Sequence, residues 1–207
     1  MLSEEKYNEV IRFVLRKELE EVIGKPQGFI KGEKDENLKI EIHFAKRGEL
    51  EDDESKLQVI PYVVFEVFDN NTFKGILAYV RKGSEDRLLN KLSVGFGGHS
   101  NIEDKNIQET ACREIKEEIG YPIKSSELRF AGYIFSNNDA VSRVHVGYVY
   151  IARMNMKTFE NLEISDEIKE VCLYTPKTEK PQECEGVFEN WSSIILNDDS
   201  FINELMR

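Results

Sequence analysis

The sequence predicts an α/β fold in which a mixed sheet lies between helical layers. Segments with helical periodicity alternate along the chain with short strand-like runs. Tyr62-Val63-Val64-Phe65 is apolar on both faces, as in a strand covered from both sides. At 207 residues, 40% hydrophobic and 10% aromatic, the chain can bury a real core as one large domain or one domain with an extension.

The elements follow in order. Ser3, Glu4 and Glu5 read as an N-cap with an acidic first turn. Tyr7, Val10, Ile11, Val14, Leu15, Leu19, Val22 and Ile23 recur at helical spacing, which predicts one amphipathic helix over 3–23, stopped by Gly24 and Pro26. Residues 38–44 alternate as a half-exposed strand, and the highly charged 46–56 reads as a solvated loop. Residues 61–68 and 75–81 form a hairpin across the turn signal Asp69-Asn70-Asn71. A short strand over 92–96 runs into Gly97-Gly98, and a helix over 105–119 ends at Gly120 with Pro122 beyond. Strands are expected at 128–135, 144–153 and 170–174. Val187, Phe188, Trp191, Ile194 and Ile195 mark a closing helix, with one short turn over 201–206. Residues 1–56 thus read as a helix-and-strand extension packed on a main domain of 57–207.

Charge narrows the partners. Thirty-nine acidic residues against 28 basic ones give a net charge of −11, and no basic run gathers the cations, so DNA is not an expected partner. A small polyphosphate would be repelled as well unless metal ions stood between it and the carboxylates. Cys112, Cys172 and Cys184 show no CxxC pairing, which suits reduced thiols in a cytosolic protein. His43, His99 and His145 are too scattered for a structural zinc site. The first residues lack signal-peptide features and the apolar runs are too short to span a bilayer, so a cytoplasmic protein without membrane contact is expected.

The chemistry concentrates in Gly97-Gly98-His99-Ser100-Asn101 and in the segment from Arg113 to Tyr121. Glu114, Glu117 and Glu118 stand at i, i+3 and i+4, which puts three carboxylates on one helix face within a turn. Ile107, Ala111, Ile115 and Ile119 form the adjoining apolar stripe, so the acids sit at the edge of the buried face. Alone, such a run is usually just a solvated helix face. Clustered carboxylates repel one another, and hard cations such as Mg²⁺ or Mn²⁺ relieve that repulsion and bridge to phosphate. Arg113, four residues from both Glu109 and Glu117, can brace the acidic face. The double glycine at a strand exit allows close backbone approach and can offer a carbonyl to a metal.

Gly98 with the downstream Arg-Glu-Ile-Lys-Glu-Glu-Ile-Gly-Tyr resembles the Nudix box, G-x5-E-x7-R-E-U-x-E-E-x-G-U with U bulky and apolar. The second half matches at every fixed position, a coincidence of roughly one in ten thousand from average residue frequencies. The first half departs: Asp104 stands where Glu is the rule, and Arg113 follows one residue late. Taking Glu103 as the acid instead leaves the following gap two residues too long. The loop between glycine and helix must therefore bulge. The Gly-Gly-His-x-Asn variant also resembles a bacterial branch of predicted Nudix phosphoesterases, over about 57–191.

The resemblance implies a Nudix α/β/α sandwich with a mixed sheet, plus the N-terminal helical extension, and Mg²⁺- or Mn²⁺-dependent hydrolysis of a small diphosphate such as a nucleoside diphosphate derivative. It implies Gly98, Glu114, Glu117 and Glu118 as metal-binding positions. Glu114 would serve as ligand or base, with Glu117 and Arg113 completing the catalytic set. A further acid from a distal loop is common in the family; Glu160, Glu163 and Glu167 are the candidates. His99 and Asn101 are expected either to bind substrate phosphate or to cap local backbone. His145, Phe188 and Trp191 read as core residues, while Tyr133 and Phe135 lie on strands that can face substrate. Isoprenoid diphosphate isomerisation ranks low, because Cys112 lies inside the box helix. The rival from another class is a non-catalytic nucleotide sensor, motivated by the altered box. The 3–23 and Trp191 helices are candidate homodimer surfaces.

Overall fold

The computed structural model describes residues 3–24, 27–32, 40–82, 89–177 and 186–205. In chain order the elements are α1 (Glu4–Asn8), β1 (Val10–Leu15), α2 (Arg16–Ile23), β2 (Gly28–Lys31), β3 (His43–Lys46), β4 (Lys56–Asp69), β5 (Thr72–Arg81), β6 (Leu92–Ser93) and β7 (Gly95–Phe96). Then follow α3 (Ile107–Ile119), β8 (Arg129–Phe135), β9 (His145–Asn155), α4 (Met156–Phe159), β10 (Ile168–Tyr174), α5 (Asn190–Asn197) and α6 (Asp199–Ile202).

The main sheet runs β10-β5-β4-β9-β8-β2, with β1, β6 and β7 also joined to it and β3 paired on β1. It is mixed: β4 and β9 pair in parallel from Gln58 opposite His145 to Phe68 opposite Asn155, while their other neighbours are antiparallel. The two faces of β4 feed two cores. Val63, Phe65 and Val67 pack with Ala111, Ile115 and Ile119 of α3 on one side. Tyr62 and Val64 pack with Trp191, Ile195 and Phe201 of α5 and α6 on the other. This is the α/β/α sandwich expected from the sequence. Asn70 and Asn71, both at positive φ (48° and 65°), turn the β4–β5 hairpin at the expected place.

The N-terminal reading needs correction. The continuous helix over 3–23 does not exist; α1 and α2 flank the strand β1. β1 lies between β3 and β4, and Ile11, Arg12, Phe13 and Val14 are all buried. A strand covered on both faces shows no alternation, and its apolar residues at 10, 11, 14 and 15 imitate a helical stripe. The expected strand over 38–44 begins only at His43; residues 38 and 39 lie outside the described segments. β2 had no sequence signal of its own.

The thiol reading is also revised. Cys112 is free, but Cys172 is disulfide-bonded, and Cys184 lies outside the described residues. Among the described residues no helix is long and apolar enough to cross a membrane.

Candidate active site

The strand exit is built around two glycines with different tasks. Gly97 has φ +148°, and a Cβ there would lie 1.9 Å from the Pro61 carbonyl oxygen, so only glycine fits. A Cβ on Gly98 would lie 2.6 Å from the Glu114 carboxylate, so this position keeps the backbone open to that side chain.

Asn106 caps α3, its side chain accepting from the Glu109 amide at 2.8 Å, and Gly120 closes it in the left-handed conformation at φ 67°. Buried Ala111, Ile115 and Ile119 fix the helix against β4, which orients the acids. Arg113 sits at their centre. Its Nε and Nη2 donate to the two carboxylate oxygens of Asp104 at 3.2 and 3.1 Å, and Nη2 also donates to the His99 carbonyl at 3.1 Å. Nη1 donates to Glu114 Oε1 at 2.7 Å and to Glu117 Oε2 at 3.2 Å. All the donors of the guanidinium are thereby used. Glu109, the other expected partner, pairs instead with Lys105.

Asp104 thus stands where the motif has glutamate, and Glu103 is exposed. Burial alone would raise the Asp104 carboxyl, but hydrogen bonds from Arg113, Thr110 and the Asn101 amide outweigh it and hold its pKa below the usual range.

Arg113 takes one oxygen from Glu114 and one from Glu117. Among the described residues, Glu114 Oε2 and Glu117 Oε1 carry no protein hydrogen bond, and the buried Glu118 Oε2 has no partner. Burial, reinforced by the charge of Glu114, pushes the Glu118 carboxyl up to about 8, while Arg81 and the Gly97 amide pull the other way. Burial likewise raises Glu114, against the opposing pull of Arg113. A buried carboxylate oxygen without a donor is costly unless it is protonated or meets a cation, and this donor set of hard oxygens suits Mg²⁺ or Mn²⁺. Among the described residues no three acidic, cysteine or histidine side chains form a ready-made metal cage. Mg²⁺ does not need one, since it keeps several waters and is commonly held by one or two carboxylates with substrate phosphates.

Of the distal acids, Glu167 is the one whose charge acts on Glu118. Glu163 packs against Gly120 and Glu160 caps α4, while Ser165 ties this loop to α3 through a 2.8 Å bond from its amide to the Glu118 carbonyl. The remaining expected residues turn inward. The His99 ring meets Gln58 Oε1 at 2.7 Å and His145 Nε2 at 3.2 Å, while His145 Nδ1 bonds the Val141 carbonyl at 2.7 Å. Asn101 donates its backbone amide to Asp104 at 3.2 Å. Tyr133 and Phe135 are buried, with Tyr133 packed on Phe130 and Tyr148. Trp191 packs edge-on against Tyr62 in the core, and Phe188 against Tyr174. Cys112 faces Ser125 at 3.7 Å, and burial raises its thiol pKa, opposite to what a nucleophile needs. Sequence reasoning missed Arg12, Gln58, Arg81 and Thr110. No motif marks them; chain folding alone brings them to the site.

No family model matches the chain. Protein YmaB of Bacillus subtilis (strain 168) is 27% identical over 162 residues, 73% of this chain and 75% of its own length. The crystal structure of Tm1382, provisionally described as a Nudix hydrolase, aligns at a TM-score of 0.66 and 28% identity, over 91% of this chain and 96% of that one. A MutT/Nudix family protein from Enterococcus faecalis aligns over 57% of this chain and 43% of its own, at 21% identity and a TM-score of 0.48. The layered mixed sheet with its capped acidic helix is a Nudix fold. The similarity to Tm1382 along nearly the whole of both chains supports the Nudix superfamily for this protein.

Proposed function

We propose that this protein is a metal-dependent hydrolase of small diphosphate compounds, with nucleoside diphosphate derivatives as the favoured substrate class. The observation that carries the reading is the division of labour around Arg113. One guanidinium binds one oxygen each of Glu114 and Glu117 and leaves the second free, and on the same helix the buried Glu118 Oε2 has no hydrogen-bond donor among the described residues. Glu114, Glu117 and Glu118, with the Gly98 carbonyl, are the groups that would hold Mg²⁺ or Mn²⁺. The metal would supply neutralisation of the diphosphate and acidification of water.

The chain's own residues supply the rest. Arg113 holds the Glu114 carboxylate from Oε1, so Oε2 is the atom available either to bind the metal or to accept a proton from an attacking water. Burial raises the basicity of that carboxylate, which favours proton acceptance. Asp104 and the His99 carbonyl keep the guanidinium in place, so the carboxylates need not reorganise during the reaction.

The sensor reading rested on the altered box. Asp104 engages Arg113 through both oxygens, which weighs against that motive. Cleavage of nucleoside triphosphates, nucleoside diphosphate sugars, dinucleoside polyphosphates and dinucleotide cofactors, with Mg²⁺ or Mn²⁺ and with the nucleotide products separated by chromatography, tests the hydrolase reading. Turnover of one class supports it; tight metal-independent binding without cleavage would favour the sensor.

A further inference from the structure

The box of this chain carries one residue too many and an acid one methylene too short, yet Arg113 is fully engaged. The connection from Gly98 to α3 shows how. Ser100 to Ile102 lies along β1 as a strand-like segment: the Arg12 amide donates to the Ser100 carbonyl at 2.7 Å, the Ile102 amide to the Val10 carbonyl at 3.2 Å, and Ile11 and Asn101 form an antiparallel bridge. On its other side the Ser100 amide donates to Val59 of β4 at 3.3 Å. The segment leading into Asp104 is thus pinned by pairing with a strand from the N-terminal extension.

The Arg12 side chain runs beneath this segment, 7% exposed and with its guanidinium over the Phe44 ring. Its Nη1 donates to Ser100 Oγ at 3.0 Å and its Nη2 to the backbone carbonyl of Asp104. Ser100 Oγ is 2.7 Å from Thr110 Oγ1, which donates to Asp104 Oδ2 at 2.9 Å. Donors therefore run in one direction, from Arg12 through Ser100 and Thr110 to Asp104, which receives Arg113 from the opposite side. An aspartate reaches Arg113 only if its backbone is carried closer than that of a glutamate, and Arg12 grips that backbone.

We propose that Arg12 is a positioning residue for the acidic helix, holding Asp104 at the distance from which it orients Arg113 and, through it, Glu114 and Glu117. The proposal rests on the hydrolase reading for its effect on turnover. Arg12 contacts no carboxylate of the metal-binding set, so it acts only through Asp104.

The test compares wild type, Arg12→Lys, Arg12→Met, Asp104→Asn and the Arg12→Lys/Asp104→Asn double variant. Three readouts are used: kcat and KM on the substrate the wild type turns over best, Mn²⁺ affinity by calorimetry, and the Arg113 Nε–H resonance by NMR. Misplacement of the helix acids predicts a kcat loss of about 10- to 100-fold with KM changed by less than about twofold. Mn²⁺ affinity is expected to weaken by about 10-fold or more, as for loss of other residues that orient ligands. The Arg113 Nε–H signal should lose its protection from exchange in both Arg12 variants, and the double variant should be no worse than Asp104→Asn alone. Additive losses, or an unchanged Arg113 signal in folded Arg12→Lys, would overturn the proposal. If the wild type itself neither hydrolyses the panel nor binds Mn²⁺, the hydrolase reading fails, and the Arg113 signal still decides whether Arg12 holds the pair.

Discussion

Asp104 and Arg113, nine positions apart, meet through two hydrogen bonds of 3.2 and 3.1 Å. This pair joins the loop after the double glycine to the acidic helix, and it explains how a box with altered spacing keeps its geometry. The carboxylate is 10% exposed and the guanidinium 29%, so the pair is shielded from solvent far more than an ordinary surface ion pair.

Asp104→Asn should therefore cost more than a surface substitution. The neutral amide cannot serve both Nε and Nη2 as an acceptor, and Arg113 would be left partly unpaired in a half-buried setting. The expected result is a stability loss of about 2–3 kcal/mol in chemical denaturation, with turnover reduced by about 10-fold or more. An unchanged denaturation midpoint would show that the pair contributes nothing.

The two glycines should respond differently to alanine. Gly97→Ala forces a Cβ into the Pro61 carbonyl at a φ of +148°, and is expected to lower stability by about 3 kcal/mol. Gly98→Ala meets the end of the Glu114 side chain first, which can move. It should fold, and its loss should appear in Mn²⁺ affinity. Equal thermal shifts for the two variants would contradict this division.

Glu118 predicts a pH dependence with a defined sign. Its carboxyl keeps its proton up to about 8 in the folded chain but ionises in the usual carboxylate range when unfolded. The folded state thus binds more protons between those values, and metal-free stability falls as pH rises through that window. Glu118→Gln removes the penalty. In chelator, its melting temperature relative to wild type should climb from pH 5 to pH 9, and added Mg²⁺ should stabilise wild type alone. A constant difference across that range would refute the buried, unpartnered carboxyl.

The His99–His145 contact predicts the opposite slope. Burial, followed by the neighbouring His145, holds the His99 pKa well below the usual value. The unfolded chain binds this proton first, so stability is complete above about pH 6.5 and is lost as pH falls below it. His99→Gln should flatten that acid limb by about one proton in denaturation measured from pH 7 to pH 5.

The acidic helix was legible to within two residues, because a terminal glycine and an apolar stripe at helical spacing are local signals. The sandwich was legible from β4, whose two apolar faces required cover on both sides. β1 was not, since burial on both faces erased its alternation, and Arg12 was lost with it inside an expected helix. His99 and Asn101 were singled out by their place after the double glycine, but a sequence does not say which way a loop side chain turns. Glu160, Glu163 and Glu167 could not be ranked, because the position of each relative to α3 depends on the path of the chain between α3 and β10.

Cleavage of the diphosphate panel to nucleotide products, measured by chromatography with and without Mg²⁺ for wild type beside Glu118→Gln, tests the central claim most directly. The hydrolase reading predicts Mg²⁺-dependent turnover of one substrate class by the wild type, and its loss in a variant that stays folded. Full activity in Glu118→Gln, or turnover undiminished by chelator, would contradict it.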